Sequence, residues 1–364
     1  MPINIYETIY MLSAIEELPL EHTFFKDRYF PTDDMMDVFN TSKVLADYRE
    51  GNRKRAPFVV PRIGSVPVGR EGFKTYELEP AYIGLSMPLT IDQLNRRGFG
   101  ESVMSGMTPE DRARILQMRD MEVLSARISR TEELMACQTM LNNGCMMRHE
   151  TDKEGVYDDV EVKFYDEAVN PALFTPTATW KHSTVDTKGN VTVGNWYEDI
   201  YQMVARQKRR GMPVTDLLAS SDVGAFLMED PWVLRMLDNR RVELGRIQPS
   251  ELTEYVTHLG AFNFKGRMLD ILVSDGGYED EDGTEKPYLE DGSAIVTAPD
   301  VGRGLYGAVT QMERDEEFHT YAGKRIPQHI ADVKNQIKET KVACSPLMVP
   351  KRKNPWCAAK KVFG

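Results

Sequence analysis

The sequence predicts an α+β protein in which a compact subunit carries extended segments. Three observations point there. A capped, apolar-periodic stretch from Thr108 to Asn143 reads as one long helix, short alternating runs downstream read as strands, and a stretch from Ala56 to Leu89 is broken by Pro57, Pro61, Pro67, Pro80 and Pro88. At 364 residues the chain exceeds what one hydrophobic core supports, so two or more structural units are expected. With 41% hydrophobic and 28% charged residues it can bury real cores, which excludes a wholly disordered or collagen-like chain.

Residues 1–50 hold ten acids and four bases, and residues 51–74 reverse this with six bases against Glu71. Solvated faces account for any one such run, but adjacent blocks of opposite sign also fit segments lying on neighbouring subunits. Within 56–89 the prolines, with Gly64, Gly69, Gly72 and Gly84, rule out a helix. Phe58-Val59-Val60 and Phe73 to Leu78 read as strands, with Gly69-Arg-Glu-Gly72 placed where a hairpin turns. A two-stranded ribbon is marginal in water, and proline is a poor ladder partner. The ribbon therefore needs a surface to lie on, in its own domain or on another subunit.

Thr108-Pro109-Glu110-Asp111 is a strong helix start: threonine caps, proline suits the first helical position, and acids favour the positive dipole end. Ile115, Met118, Met121, Leu124 and Ile128 recur at helical spacing, and Leu134, Met135 and Leu141 continue the stripe to Asn142-Asn143-Gly144, which offers a left-handed cap. This span is about 50 Å of helix. Glu122, Glu132 and Glu133, with several arginines, are expected on the remaining surface. The spacing is not a sustained heptad, so a spine across a flat domain is preferred to a coiled coil. Residues 156–165 alternate as a strand, and a second helix starts near Asn195, with Trp196, Ile200, Met203 and Val204 inward and bases at its end. Short helices and strands fill 214–275; Leu269–Ser274 and Ile295–Thr297 are expected as strands joined by an exposed acidic turn.

Total charge is -11, which argues against a protein that coats duplex DNA by neutralising phosphates. The start lacks a basic n-region with an apolar stretch, and no window reaches the roughly 18 apolar residues of a membrane span, so a cytosolic protein is expected. Four cysteines without a Cys-x-x-Cys pair are expected to be reduced and structural. Gly302-Arg-Gly304-Leu-Tyr-Gly307 matches a dinucleotide-binding string but lacks the βαβ setting, and reads as a glycine-rich turn between strands. The run Glu279–Gly283 lacks EF-hand spacing and reads as a soluble hairpin tip. Cys137, Cys145 and His149 offer three metal ligands, though free cysteine is commonly a buried apolar residue. No nucleophile elbow, phosphate loop or zincin helix occurs.

The order of segments, an acidic arm, a basic proline-punctuated ribbon, a spine helix, a mixed region and a basic tail, resembles the major capsid protein family of lambda-like tailed phages, major capsid protein E. The resemblance covers nearly the whole chain. It rests on Phe24-Phe25 with Arg28-Tyr29-Phe30, on Ala56-Pro57-Phe58-Val59, Gly64 and Pro80-Ala81-Tyr82-Ile83, then on Leu94-Asn-Arg96 and Gly100-Glu101. It continues with Arg119-Asp120 and Glu132-Glu133-Leu-Met135-Ala136, Asp199-Ile200, Gly260-x-Phe262-x-Phe264-x-Gly266, Tyr278 to Gly283, Ser345 to Pro350, and Asn354-Pro355.

That resemblance implies the tailed-phage major capsid fold: an N-terminal arm at 1–50, an extended β-hairpin loop at 51–90, a peripheral domain at 91–195 with its spine helix at 108–143, an axial domain at 196–317, and a return to the peripheral domain with a C-terminal tail at 318–364. It implies no enzyme and no cofactor, but a shell of hexamers and pentamers enclosing double-stranded DNA, assembled in the host cytoplasm and carried in the virion. Partners implied are further copies, scaffolding, portal and decoration proteins. The region before the ribbon is too short for a long fused scaffolding segment, so a separate scaffold is expected. Phe58, Val59, Arg62, Phe73 and Tyr76 of the loop are the expected neighbour contacts, with Asp33 and Asp34 of the arm as partners for the basic block. Two other classes predict otherwise: a metal-dependent hydrolase using Cys145, His149 and Asp152, and an adaptor that uses the ribbon for strand addition.

Overall fold

A computed structural model describes residues 8–16, 18, 23–48, 74–90, 108–150, 157–164, 173–238, 245–280, 283–313, 315–332 and 337–363. Helices α1 (Thr8–Glu16) and α2 (Phe25–Tyr29) come first, followed by strands β1 (Val44–Tyr48), β2 (Lys74–Leu78) and β3 (Ile83–Leu89). The partner of β2 is β1, in register from Val44↔Leu78 to Tyr48↔Lys74. Val44 is buried in the core and Leu78 packs against it, which anchors one end of this stem. The stem joins the two ends of the 49–73 segment. Phe58–Val60 and the Gly69–Gly72 turn lie outside the described residues.

Helix α3 (Pro109–Asn142) has the ends its sequence predicts. Asp111 N–H donates to Thr108 Oγ1 at 3.2 Å while the Asp111 carboxylate accepts from Thr108 N–H, a reciprocal capping box. At the other end Asn143 turns left-handed (φ 57°) and its N–H donates to the Thr139 carbonyl. The apolar stripe is buried only in part. Met121, Leu124 and Ile128 are inside, whereas Ile115 and Met118 are exposed, because the covered face of the first turns runs through Ala113 and Gln117, with Gln117 bonded to Met11 of α1, and Ile115 and Met118 lie off it.

Strands β4 (Gly144–Glu150) and β5 (Tyr157–Lys163) form an antiparallel pair, and β6 (Leu173–Phe174), β7 (Thr184–Val185) and β8 (Val191–Thr192) are short. Helix α4 (Asn195–Arg209) buries Trp196, Ile200, Met203 and Val204 as expected. After it come β9 (Asp216–Ser220), α5 (Ser221–Glu229), α6 (Pro231–Asp238), β10 (Gly245–Thr253), β11 (Val256–Asn263) and β12 (Met268–Ser274). A hairpin of β13 (Gly277–Glu279) and β14 (Glu285–Pro287) precedes β15 (Ala294–Thr297), β16 (Gly302–Tyr306) and the hairpin β17 (Val309–Met312)–β18 (Phe318–Tyr321). The chain closes with β19 (Ile326–Asp332), β20 (Ile337–Cys344), β21 (Pro346–Pro350) and β22 (Cys357–Ala359).

Seven strands share one sheet, ordered β10-β11-β12-β9-β15-β22-β6, with β9 parallel to β12 and antiparallel to β15. Side-chain alternation divides this sheet between two cores. Leu218, Leu272, Ile295 and Ala358 face Met135, Met140 and Leu141 of α3 and Phe25 of α2. Leu217, Ala219, Ile271, Val273, Ala294 and Val296 face the apolar sides of α4 and α5. The result is helix on both faces of a buried sheet, so β9 is buried at all five positions. A smaller sheet, β19-β20-β3, covers the middle of α3 through Val342 and Cys344; β3 is its edge strand, where Pro88 costs no central ladder bond.

Two sequence expectations change. Leu269–Ser274 and Ile295–Thr297 are strands, but β9 lies between them and the acids belong to the separate β13–β14 hairpin. Gly302–Tyr306 is not a turn but a strand paired with β21. Its glycines serve packing: a Cβ on Gly302 would lie 2.2 Å from the buried Phe30 ring, and one on Gly304 would lie 2.6 Å from Thr32 Oγ1. Only bare backbone lets the segment after α2 cross this strand.

Candidate functional site

The N-terminal segment is held by a buried polar clasp on α3. Glu132, fully buried, receives Arg325 Nη1 and Nη2 at 2.6 and 2.9 Å, Lys26 Nζ at 2.6 Å and the Tyr306 hydroxyl at 3.0 Å. Burial works against its charge, but the adjacent Arg325 and Lys26 cations prevail and lower its pKa to about 2. Arg325 is pushed upward in turn by the same carboxylate, against its own desolvation.

Glu133, the next residue, reaches the start of α2. Its Oε1 accepts from the N–H groups of Phe24 and Phe25 at 2.8 and 2.7 Å and from the Tyr255 hydroxyl at 2.8 Å; its Oε2 accepts from Lys26 N–H at 2.9 Å. A side chain from another helix thus supplies the acceptor for the orphan donors of this five-residue helix. Its partners here are neutral donors, and desolvation raises its pKa. Further along, Asp216 Oδ2 accepts from Arg28 Nε at 2.8 Å and from the Tyr29 hydroxyl at 2.9 Å, tying α2 to the first residue of β9. Glu132 and Glu133 were expected on the solvent side of the helix; they lie inside because the arm and the β18–β19 connection converge there.

Of the expected neighbour contacts, Phe58, Val59, Arg62 and Phe73 lie outside the described residues, and Tyr76 lies in β2 opposite Ala46. Asp33 and Asp34 are exposed, yet both have partners within the chain: Asp33 Oδ1 accepts from Met35 N–H at 3.0 Å, and Asp34 pairs with Lys324 at 2.7 Å. Sequence reading missed the exposed apolar side chains beside them, Met35 (95% exposed) and Met36, and those elsewhere: Ile115, Met118 and Val123 on α3, Met312 and Phe318 (75%) on the β17–β18 hairpin. Apolar groups this large left in water are candidates for contact with another chain.

Among the described residues no hydrolase constellation is seen; the side chain of His149 is not among them. Cys145 is buried in the apolar core and burial pushes its thiol up to about 12; Cys137 is raised too, by burial and by Glu133. Both shifts disfavour the thiolate, the form that attacks. Asp152 lies outside the described residues. Asp315, Glu317 and His319 bring ligand atoms within 4.8 Å of one another, but this is the turn of an exposed hairpin, and His319 Nε2 is already bonded to Asp315 at 2.7 Å. All four cysteines are free and buried, as expected.

A buried clasp thus fixes the N-terminal segment, and several apolar side chains are presented outward. Residues 7–361 match the family described as phage major capsid protein E. The chain belongs to that family. It is a phage major capsid protein, a structural component of the virion and not an enzyme. It is 28% identical over 328 residues to the P21 prophage-derived major head protein of Escherichia coli O6:H1, covering 85% of this chain and 86% of that one, and equally to the major capsid protein of Enterobacteria phage P21. Among solved structures, a prophage capsid protein of Escherichia coli CFT073 aligns over 97% of this chain and 98% of its own with a TM-score of 0.63 at 16% identity, a likeness of fold. The fold is the α+β tailed-phage capsid fold. Among the described residues no helix is long and apolar enough to cross a membrane.

Proposed function

We propose that copies of this chain close into hexamers and pentamers that tile an icosahedral phage head around double-stranded DNA. The observation that carries the reading is the family match from residue 7 to residue 361. Each head-to-tail contact closes a ring and further contacts join rings, so many modest interfaces hold a shell that no single one would. In this reading 1–50 is the arm, 51–90 the extended loop that reaches over a neighbour, 91–195 and 318–364 the peripheral domain, and 196–317 the axial domain. Phe58, Val59, Arg62, Phe73 and Tyr76 contact the neighbour, and Asp33 and Asp34 add acidic contacts from the arm. Scaffolding, portal and decoration proteins are its further partners, in the host cytoplasm.

The β1–β2 stem supports the loop assignment, because it lets residues 49–73 leave and re-enter the subunit at adjacent points without ordering the core around them. Deleting residues 51–72 tests it while keeping both stem strands. The expected result is a soluble protein with an unchanged melting transition that forms no closed shells by electron microscopy. Closed shells from this variant would contradict the role given to the loop.

A further inference from the structure

The outer face of α4 is a cationic groove. Glu198, Tyr201, Gln202, Ala205, Arg206, Arg209 and Arg210 line it, at the spacing of a single helix face turned away from the core. The turn between β11 and β12 adds two more cations, Lys265 and Arg267, whose charged ends stand 4.3 and 5.4 Å from the Tyr201 ring centre. Glu198 pairs with Lys265 and is the single carboxylate lining the groove. Nη1 of Arg210 and Nη1 of Arg267 are both buried without a hydrogen-bond partner among the described residues. Burial, with Arg206 nearby, draws the Arg210 pKa down. Cations gathered this closely on one face, with a single carboxylate among them, fit an anionic occupant.

The densest acidic segment of the chain is the β13–β14 hairpin with its flanks: residues 275–291 carry eight acids against Lys286 alone. Asp275, Glu279, Glu285, Glu290 and Asp291 are exposed. Within one copy this hairpin is remote from the groove. Strands β9 and β12 run parallel, Asp216 beside Asp270 and Ser220 beside Ser274. Arg210 precedes the start of β9 and Arg267 precedes the start of β12, whereas the hairpin follows the end of β12. The two also belong to opposite faces: α4 packs in one core of the seven-stranded sheet, and Tyr278 and Tyr288 of the hairpin pack with the other.

We propose that the acidic hairpin of one copy docks on the α4 groove of the next, a head-to-tail contact between two different surfaces. This rests on the shell reading above. A contact of this type, repeated by rotation, closes a ring instead of a two-fold pair. Its charges set register and association rate more than affinity.

The test is a charge-reversal cycle on the full-length protein, with its scaffold, followed by light scattering and electron microscopy. Arg209 is exposed at the last turn of α4, so Arg209→Glu and the milder Arg209→Gln are both expected to melt as wild type does. Arg209→Glu and Glu285→Lys alone are each expected to slow shell formation about tenfold or more at low salt, and the combined variant to recover most of the wild-type rate. Single variants that assemble as wild type does, or a combined variant no better than the singles, would overturn the contact. So would an Arg209→Glu variant that assembles normally but loses retention of duplex DNA, since the groove would then bind phosphates. If wild type itself forms no oligomer with or without scaffold, the shell reading fails and this contact fails with it.

Discussion

Glu132 holds a negative charge where no water reaches it, and three groups from distant parts of the chain surround it. Removing one partner of such a set leaves the others buried and uncompensated, which costs about 3–5 kcal/mol. Glu132→Ala is therefore expected to lower the unfolding free energy in denaturant titration by roughly that amount, and a loss below about 1 kcal/mol would mean that the clasp is only a surface pair. The pH dependence has a definite sign. A carboxylate whose folded pKa is lowered from 4.5 to about 2 contributes stability that is complete above 4.5 and is lost as pH falls through about 2. Glu133, raised by desolvation, opposes this, since its neutral form is favoured inside the fold. Glu132→Gln should flatten the acid side of the stability profile in that window, and an unchanged profile would contradict the assignment. None of this was legible locally. The partners of Glu132 lie 106, 174 and 193 residues away, so the Glu132-Glu133 pair reads from sequence as an ordinary polar face of a helix.

Helix α3 shows what a sequence can say about an element. Its ends were readable because a capping box and a left-handed asparagine are local chemistry within four residues of each terminus. Its buried face was not, because which side is covered depends on β20 and α1. Ile115 and Met118 belong to the apolar stripe yet stand in water, which fits a contact completed by another copy. Met118→Glu is expected to leave the melting temperature within about a degree of wild type, as surface changes do, while reducing shell yield. A folded variant with full yield would remove this face from the interface. The strand β16 taught the opposite lesson. Its glycines resemble a phosphate-binding string, but the reason for them is the ring of Phe30 lying across the backbone. Gly302→Ala is expected to cost about 1–3 kcal/mol by overpacking, measurable as a lower denaturation midpoint. A neutral substitution would show that Phe30 moves aside freely.

Across the whole molecule, the total charge of -11 hides a division that the fold makes meaningful. The acidic hairpin and the cationic α4 groove lie at opposite ends and on opposite faces of one sheet, an arrangement that joins copies in sequence instead of satisfying itself. The sheet order was beyond sequence reading because β9 enters between two strands that are later in the chain, and only the parallel pairing with β12 shows which end of the sheet each charged surface occupies. The segment order, by contrast, carried the family resemblance without any of these contacts. Whether copies of this chain close rings and shells is read most directly by electron microscopy of the purified protein with and without its scaffold. Hexameric capsomers or round closed shells of uniform size are expected; a monomer that persists under both conditions would contradict assembly into a shell.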